Sequence, residues 1–133
     1  MNTKCEKEIH SIHEFFENWL SGRIEKNQET LLRVDEALSD RFLMISPNGN
    51  EADKITLNKN LMKAHGSWSG EEIWIKNMRC RYNSDNLCLM VYEEWQGERK
   101  DTTRKGRLSS ALFEKRVDGK IQWLHLHEVW ISK

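Results

Sequence analysis

The chain has 133 residues, 38% hydrophobic and 32% charged, which suits one domain (residues 1–133) with a single core and excludes a disordered chain. Lys+Arg and Asp+Glu balance at 21 each, so no basic excess exists to hold a phosphate backbone and no nucleic-acid partner is expected. Apolar runs last only a few residues, and MNTKCEKEIH lacks the apolar segment of a signal peptide, so a cytoplasmic protein with no membrane partner is expected.

Along the chain, Ile9, Ile12, His13, Phe16, Trp19 and Leu20 recur at the spacing of a helix with one buried stripe, ended by Ser21-Gly22. QETLLRVDEAL (28–38) carries a weaker helical pattern and reads as one or two short helices. FLMIS (42–46) is a short apolar strand stopped by the turn Pro47-Asn48-Gly49. Asp53 is placed to cap a third helix, and Gly66 to terminate it after His65, whose charge would suit a helix C-terminus. From Glu71 onward the pattern turns to strands: EEIWIKNMRCRY, NLCLMVYEEWQ, GRLSSALFEKR and KIQWLHLHEVWI. NSDN (83–86) and the strong turn pair Asp118-Gly119 join hairpins, and GERKDTTRK (97–105) forms a longer polar loop. Helices first and an antiparallel meander afterwards predict an α+β domain with helices on one face of a curved sheet.

Cys5, Cys80 and Cys88 form no CxxC pair, and reduced thiols are the expectation, although Cys80 and Cys88 flank the 83–86 turn and could face each other. No metal or cofactor is expected. His125 and His127 have a usable spacing for two ligands, but no motif ties a third (His10, His13, His65 or a cysteine) to them.

Taken in order, the first helix, FLMISPNG, the helix ending AHG, YEEWQ, RLSSALF and WLHLHEVWI resemble the nuclear transport factor 2-like superfamily over essentially the whole chain. The likeness is strongest to small bacterial members related to SnoaL-like cyclases and ketosteroid isomerases. DGKIQWLHLH is also similar to the last hairpin of the calmodulin-dependent kinase association domain. The resemblance implies a cystatin-like cone with a pocket at its open end and a homodimer. It does not imply one function, because the fold hosts isomerases, dehydratases, cyclases and oligomerisation modules.

Strand alternation places His127 and Glu128 back to back, so these neighbours cannot form one catalytic dyad. One face holds Trp123, His125, His127, Val129 and Ile131; the other holds Leu124, Leu126, Glu128 and Trp130. The kinase association domain has a pocket-facing arginine where this chain has Glu128, and by that resemblance the second set is expected on the concave side. The first set is then the outward face through which a homodimer would form. Alternation leaves open whether Glu93 or Glu94 faces inward; Tyr92 with Glu94 is the preferred pair. Glu128 and Glu94 are thus the candidate general acid or base groups. Trp19, Phe16, Met44, Tyr92, Leu126 and Trp130 are the side chains expected around the ligand. Arg79, Arg81, Arg104 and Arg107 are expected to be solvated or rim charges. Burial of Glu128 among Leu124, Leu126 and Trp130 should raise its pKa, unless a cation such as Arg107 pulls it back. The expected function is binding of a small organic ligand, with two alternatives: an isomerase, dehydratase or cyclase using a pocket carboxylate, and a non-catalytic dimerisation module.

Overall fold

The computed structural model describes residues 1–98 and 104–131, so the middle of the expected 97–105 loop lies outside the described residues. Three helices, α1 (Asn2–Leu20), α2 (Gln28–Ala37) and α3 (Lys54–Ala64), pack on six strands: β1 (Leu38–Ile45), β2 (Glu51–Asp53), β3 (Glu72–Asn83), β4 (Leu87–Gly97), β5 (Lys105–Lys115) and β6 (Ile121–Trp130). The strand order is β2-β1-β6-β5-β4-β3. Only β1 beside β6 is parallel. The long meander from β3 to β6 and the FLMIS part of β1 are the strands read from the sequence. The 28–38 pattern is a single helix, and β1 begins at once after it, earlier than the FLMIS run suggests. The three-residue β2 carried too few residues to show a period.

Local chemistry sets the helix ends. The Asn27 side chain accepts from the Thr30 N–H and starts α2, while Asp53 accepts from Thr56 and starts α3. The carbonyls at the end of α1 are satisfied by the segment after α3: Gly66 N–H donates to Trp19 O at 3.2 Å and Trp68 N–H to Leu20 O at 2.9 Å. That approach needs glycine, since a Cβ on Gly22 would stand 3.3 Å from the Gly66 Cα. Below this junction His65 is not a free terminal cation. Its Nε2 donates to the Ile24 carbonyl at 2.6 Å and its ring meets Trp19 edge-on, with centroids 4.6 Å apart.

The buried stripe of α1 (Cys5, Ile9, Ile12, His13, Trp19) lies over the concave face, where Cys88, Met90, Tyr92 and Glu94 of β4 alternate inward. All three cysteines are free, with the Cys80 and Cys88 sulfurs 3.9 Å apart.

The alternation along β6 is broken once. Leu112 pairs with His125 but Phe113 with Trp123, so Leu124 is an extra residue in β6 and the pattern resets there. Trp123, expected on the outward face, is therefore turned inward and buried against Phe113, with ring centroids 4.5 Å apart. The expected concave assignment of Leu124 fails for the same reason. Beyond the bulge Glu128 is buried and His127 and Val129 are exposed, as read, while Trp130 at the end of the strand is exposed as well.

Gly106 on β5 faces the indole of Trp95, and a Cβ there would lie 2.7 Å from ring carbons. The indole is held by its N–H bond to Glu93 at 2.9 Å and by Lys76 and Arg104 over its ring. Gly106→Ala should therefore lower unfolding stability by about 1–3 kcal/mol, the usual cost of overpacking, as read by urea denaturation; an unchanged midpoint would show that Trp95 moves aside freely.

Candidate functional site

Between α1, α3, β1 and the concave sheet lies a half-open cavity of about 150 Å³. Its walls are apolar: Ile12, Phe16 and Leu20 of α1, Leu57 and Leu61 of α3, Leu38, Phe42 and Met44 of β1, and Leu126 and Trp123 of β6. Its polar lining is His13, Glu94, Gln96, Arg107 and Glu128. Phe16, Met44 and Leu126 are among the lining residues, and of the two glutamates on β4 Glu94 is the buried one.

Three expected wall residues lie elsewhere. Trp19 belongs to the core: it is wholly buried, donates its indole N–H to the Leu61 carbonyl at 2.6 Å and stacks on Phe15. Tyr92 lies behind the wall, its ring edge-on to His13 at 5.7 Å. Trp130 is 41% exposed; it bonds Asn48 of the turn before β2 at 3.2 Å and carries Arg107 over its ring at 5.1 Å.

The polar residues form two cation–carboxylate pairs. His13 Nε2 donates to Glu94 Oε1 at 2.7 Å, and His13 Nδ1 donates to the Ile9 carbonyl at 2.6 Å. Both ring nitrogens thus face acceptors, which describes an imidazolium rather than a neutral ring. Burial disfavours that charge, but the Glu94 carboxylate more than offsets the penalty and the His13 pKa is raised. Burial likewise opposes ionisation of Glu94, yet His13, Arg107 and the Gln96 amide hold it at about 2. The second pair is Arg107 with Glu128, at 2.8 Å, with Ser109 donating to the other Glu128 oxygen at 3.1 Å.

Glu128 is only 1% exposed. Burial pushes its carboxyl up, the Glu94 charge adds to that, and Arg107 and Ser109 pull it back without cancelling the rise. Arg107, expected as a solvated or rim charge, is instead bonded to this carboxylate. Tyr92 is raised well above its ordinary value by burial and by both carboxylates, so its hydroxyl, near Ser109 but outside hydrogen-bonding geometry, keeps its proton. Two glutamates in one cavity thus have pKa values driven apart, which is the electrostatic pattern that separates an acid from a base.

The pairing roles of His13, Gln96 and Ser109 were missed, while Arg107 stands where the cation named for Glu128 was needed. One signal was available: a histidine on the buried stripe of a helix and a glutamate on the buried phase of a strand each require a partner. Among the described residues, no group of three or more His, Cys, Asp or Glu is arranged to hold a metal ion, and His127 is exposed on the outer face.

Residues 5–132 match the sequence profile of the sucrose-6-phosphate phosphohydrolase C-terminal family. The chain belongs to this family. A curated relative, sucrose-phosphatase 1 of Nicotiana tabacum, is 23% identical over 129 residues, covering 94% of this chain and 30% of that protein. The chain thus spans about 30% of the length of the curated relatives it matches. Among solved structures, an NTF-2 like protein of unknown function from Pseudomonas aeruginosa superposes with a TM-score of 0.86 at 24% identity, covering 97% of this chain and 99% of that one. An uncharacterized protein with a cystatin-like fold from Caulobacter vibrioides gives 0.72 at 12% identity, covering 98% and 89%. The fold is therefore the NTF2-like cone that the order of elements resembled.

Linkage gives each buried charge a sign. Glu94, with its pKa depressed, contributes stability in full above 4.5 and loses it as pH falls towards about 2. His13, with its pKa raised, contributes in full below 6.5 and loses it as pH rises through its folded value. Glu128 works the other way, lowering stability as pH climbs from 4.5 to its raised folded value. His13→Leu, which strands Glu94, should cost about 3–5 kcal/mol between those limits, and His13→Leu with Glu94→Gln distinctly less. Urea unfolding across pH checks this; equal losses in the single and double variants would mean the two side chains do not act as a pair.

Proposed function

We propose that this domain binds a small organic molecule in the cavity between α1 and the concave sheet. The supporting observation is a mostly apolar cavity whose two buried carboxylates are each paired with a cation. Such concave, mostly apolar sites with a few converging polar groups are where proteins bind small ligands. The relatives' name points to a sugar phosphate, but a disaccharide phosphate suits this cavity neither in size nor in polarity. A cavity of about 150 Å³ matches a single benzene-sized ring.

A second reading, an acid–base enzyme of the isomerase, dehydratase or cyclase kind, draws on the divergence of Glu128 and Glu94. A raised Glu128 carboxyl would exchange a proton with a bound substrate while ionised Glu94 holds His13 in place. The reading of the domain as a homodimer draws on the outer sheet face. Leu108 pairs with Val129 there, at 36% and 46% exposure, beside His127. Apolar exposure of this kind suits a self-complementary interface between two copies.

A thermal-shift screen of single-ring compounds should find ligands that stabilise the protein by about 2.7 kcal/mol at a hundredfold excess over Kd. Leu126→Trp, which fills the cavity, should abolish the shift; retained binding would place the ligand elsewhere. Sedimentation at micromolar concentration should give twice the chain mass, and Val129→Asp with Leu108→Asp should return it to a monomer. A wild-type monomer would remove the dimer from this reading.

A further inference from the structure

The cavity contains two cations and two carboxylates, each cation against its own carboxylate: His13 on Glu94 at 2.7 Å and Arg107 on Glu128 at 2.8 Å. The remaining lining is apolar apart from Gln96. Each carboxylate oxygen already accepts one bond: His13 and Gln96 serve Glu94, while Arg107 and Ser109 serve Glu128. What remains for a ligand is mixed and uncharged in sum: spare N–H groups on Arg107 and Gln96, and second lone pairs on the carboxylates. A ligand carrying a full charge would lose its hydration here and find every opposite charge already matched.

The two pairs differ in how open they are. His13 is buried and anchored at its far nitrogen by the Ile9 carbonyl. Arg107 keeps 24% of its side chain exposed and is steadied from outside by the Trp130 ring. Among the described lining residues it is therefore the cation within reach of a ligand, and Glu128, 1% exposed behind it, cancels its charge.

Resting on the small-ligand reading above, we propose that this pocket selects uncharged, single-ring-sized molecules bearing one hydroxyl or carbonyl group. Glu128 sets that selectivity by neutralising Arg107, so losing its charge converts the same pocket into a carboxylate-binding site. The converse loss, of Arg107, leaves a carboxylate that favours an ammonium. Size selects the ring, and the balance of charge selects its substituent.

Three probes of one shape separate the terms: cyclohexanone, cyclohexanecarboxylate and cyclohexylamine, titrated by calorimetry into the wild type near neutral pH. The wild type should bind cyclohexanone at least about tenfold more tightly than either charged probe. Glu128→Gln should gain about tenfold for cyclohexanecarboxylate while its affinity for cyclohexanone changes little. Should that variant fail to fold, Arg107→Gln decides by the same gain for cyclohexylamine. A charged probe that equals cyclohexanone in the wild type overturns the selectivity and leaves the pocket reading standing. So does a folded Glu128→Gln that binds cyclohexanone without gaining the carboxylate. Binding of none of the three probes, or cyclohexanone binding that survives Leu126→Trp, overturns the pocket reading as well.

Discussion

A carboxylate placed in an apolar cone must be matched by a cation or lose its charge, and the arrangement of this domain follows from that constraint. Glu94 is matched by a histidine from the opposite layer, so the pair joins α1 to β4 through the middle of the cavity lining. The carbonyl of Ile9, one turn earlier in α1, takes the second imidazole proton and fixes the ring's orientation. Moving α1 along its axis would break the bond to Glu94, while the Ile9 bond, internal to α1, would travel with the helix. This pair is thus a positional lock as well as an electrostatic one, alongside the Trp123 indole N–H on Glu8 and the Ile73 N–H on Glu17 of the same helix.

The same constraint is met less completely at Glu128. Its cation comes from the neighbouring strand and is partly solvated, and the charge on Glu94 works against it. The pKa of one carboxylate is thereby lowered and that of the other raised, within one cavity. Tyr92 adds to this environment from behind the wall, as a phenol that keeps its proton.

The rest of the architecture keeps the cavity open and the pairs in register. Parallel pairing of β1 with β6 brings Met44 beside Leu126, and the irregular pairing between Leu38 and Leu43 lets β1 leave α2 and still line the cavity. The Leu124 bulge turns Trp123 inward beneath His13, their ring centroids 6.4 Å apart, so the wall gains an aromatic that strict alternation would have put outside. Trp130, displaced from the wall, instead joins the Pro47–Gly49 turn to Arg107.

Periodicity and capping residues by themselves determined the helices, the four-strand meander and the α+β class, because apolar spacing is a local property that burial imposes on each element. The inward phase of Glu128 came from the family resemblance. Periodicity also narrowed the β4 choice to two phases without choosing between them. What the tertiary structure decided is everything that depends on a non-local partner or on a break in the period. The His13–Glu94 pair spans 81 residues of sequence, and neither residue carries a mark of the other. Arg107 carried two readings, a rim charge or the cation that pulls Glu128 back, and only the pairing of β5 with β6 sets it against the buried glutamate. Trp19 and Trp123 exchanged their expected places for physical reasons of the same kind: the first is claimed by the Leu61 carbonyl and the core, the second is turned by one extra residue in its strand. Alternation predicts a face only while the register is unbroken, and a bulge is set by how two strands pair rather than by the residues of either alone.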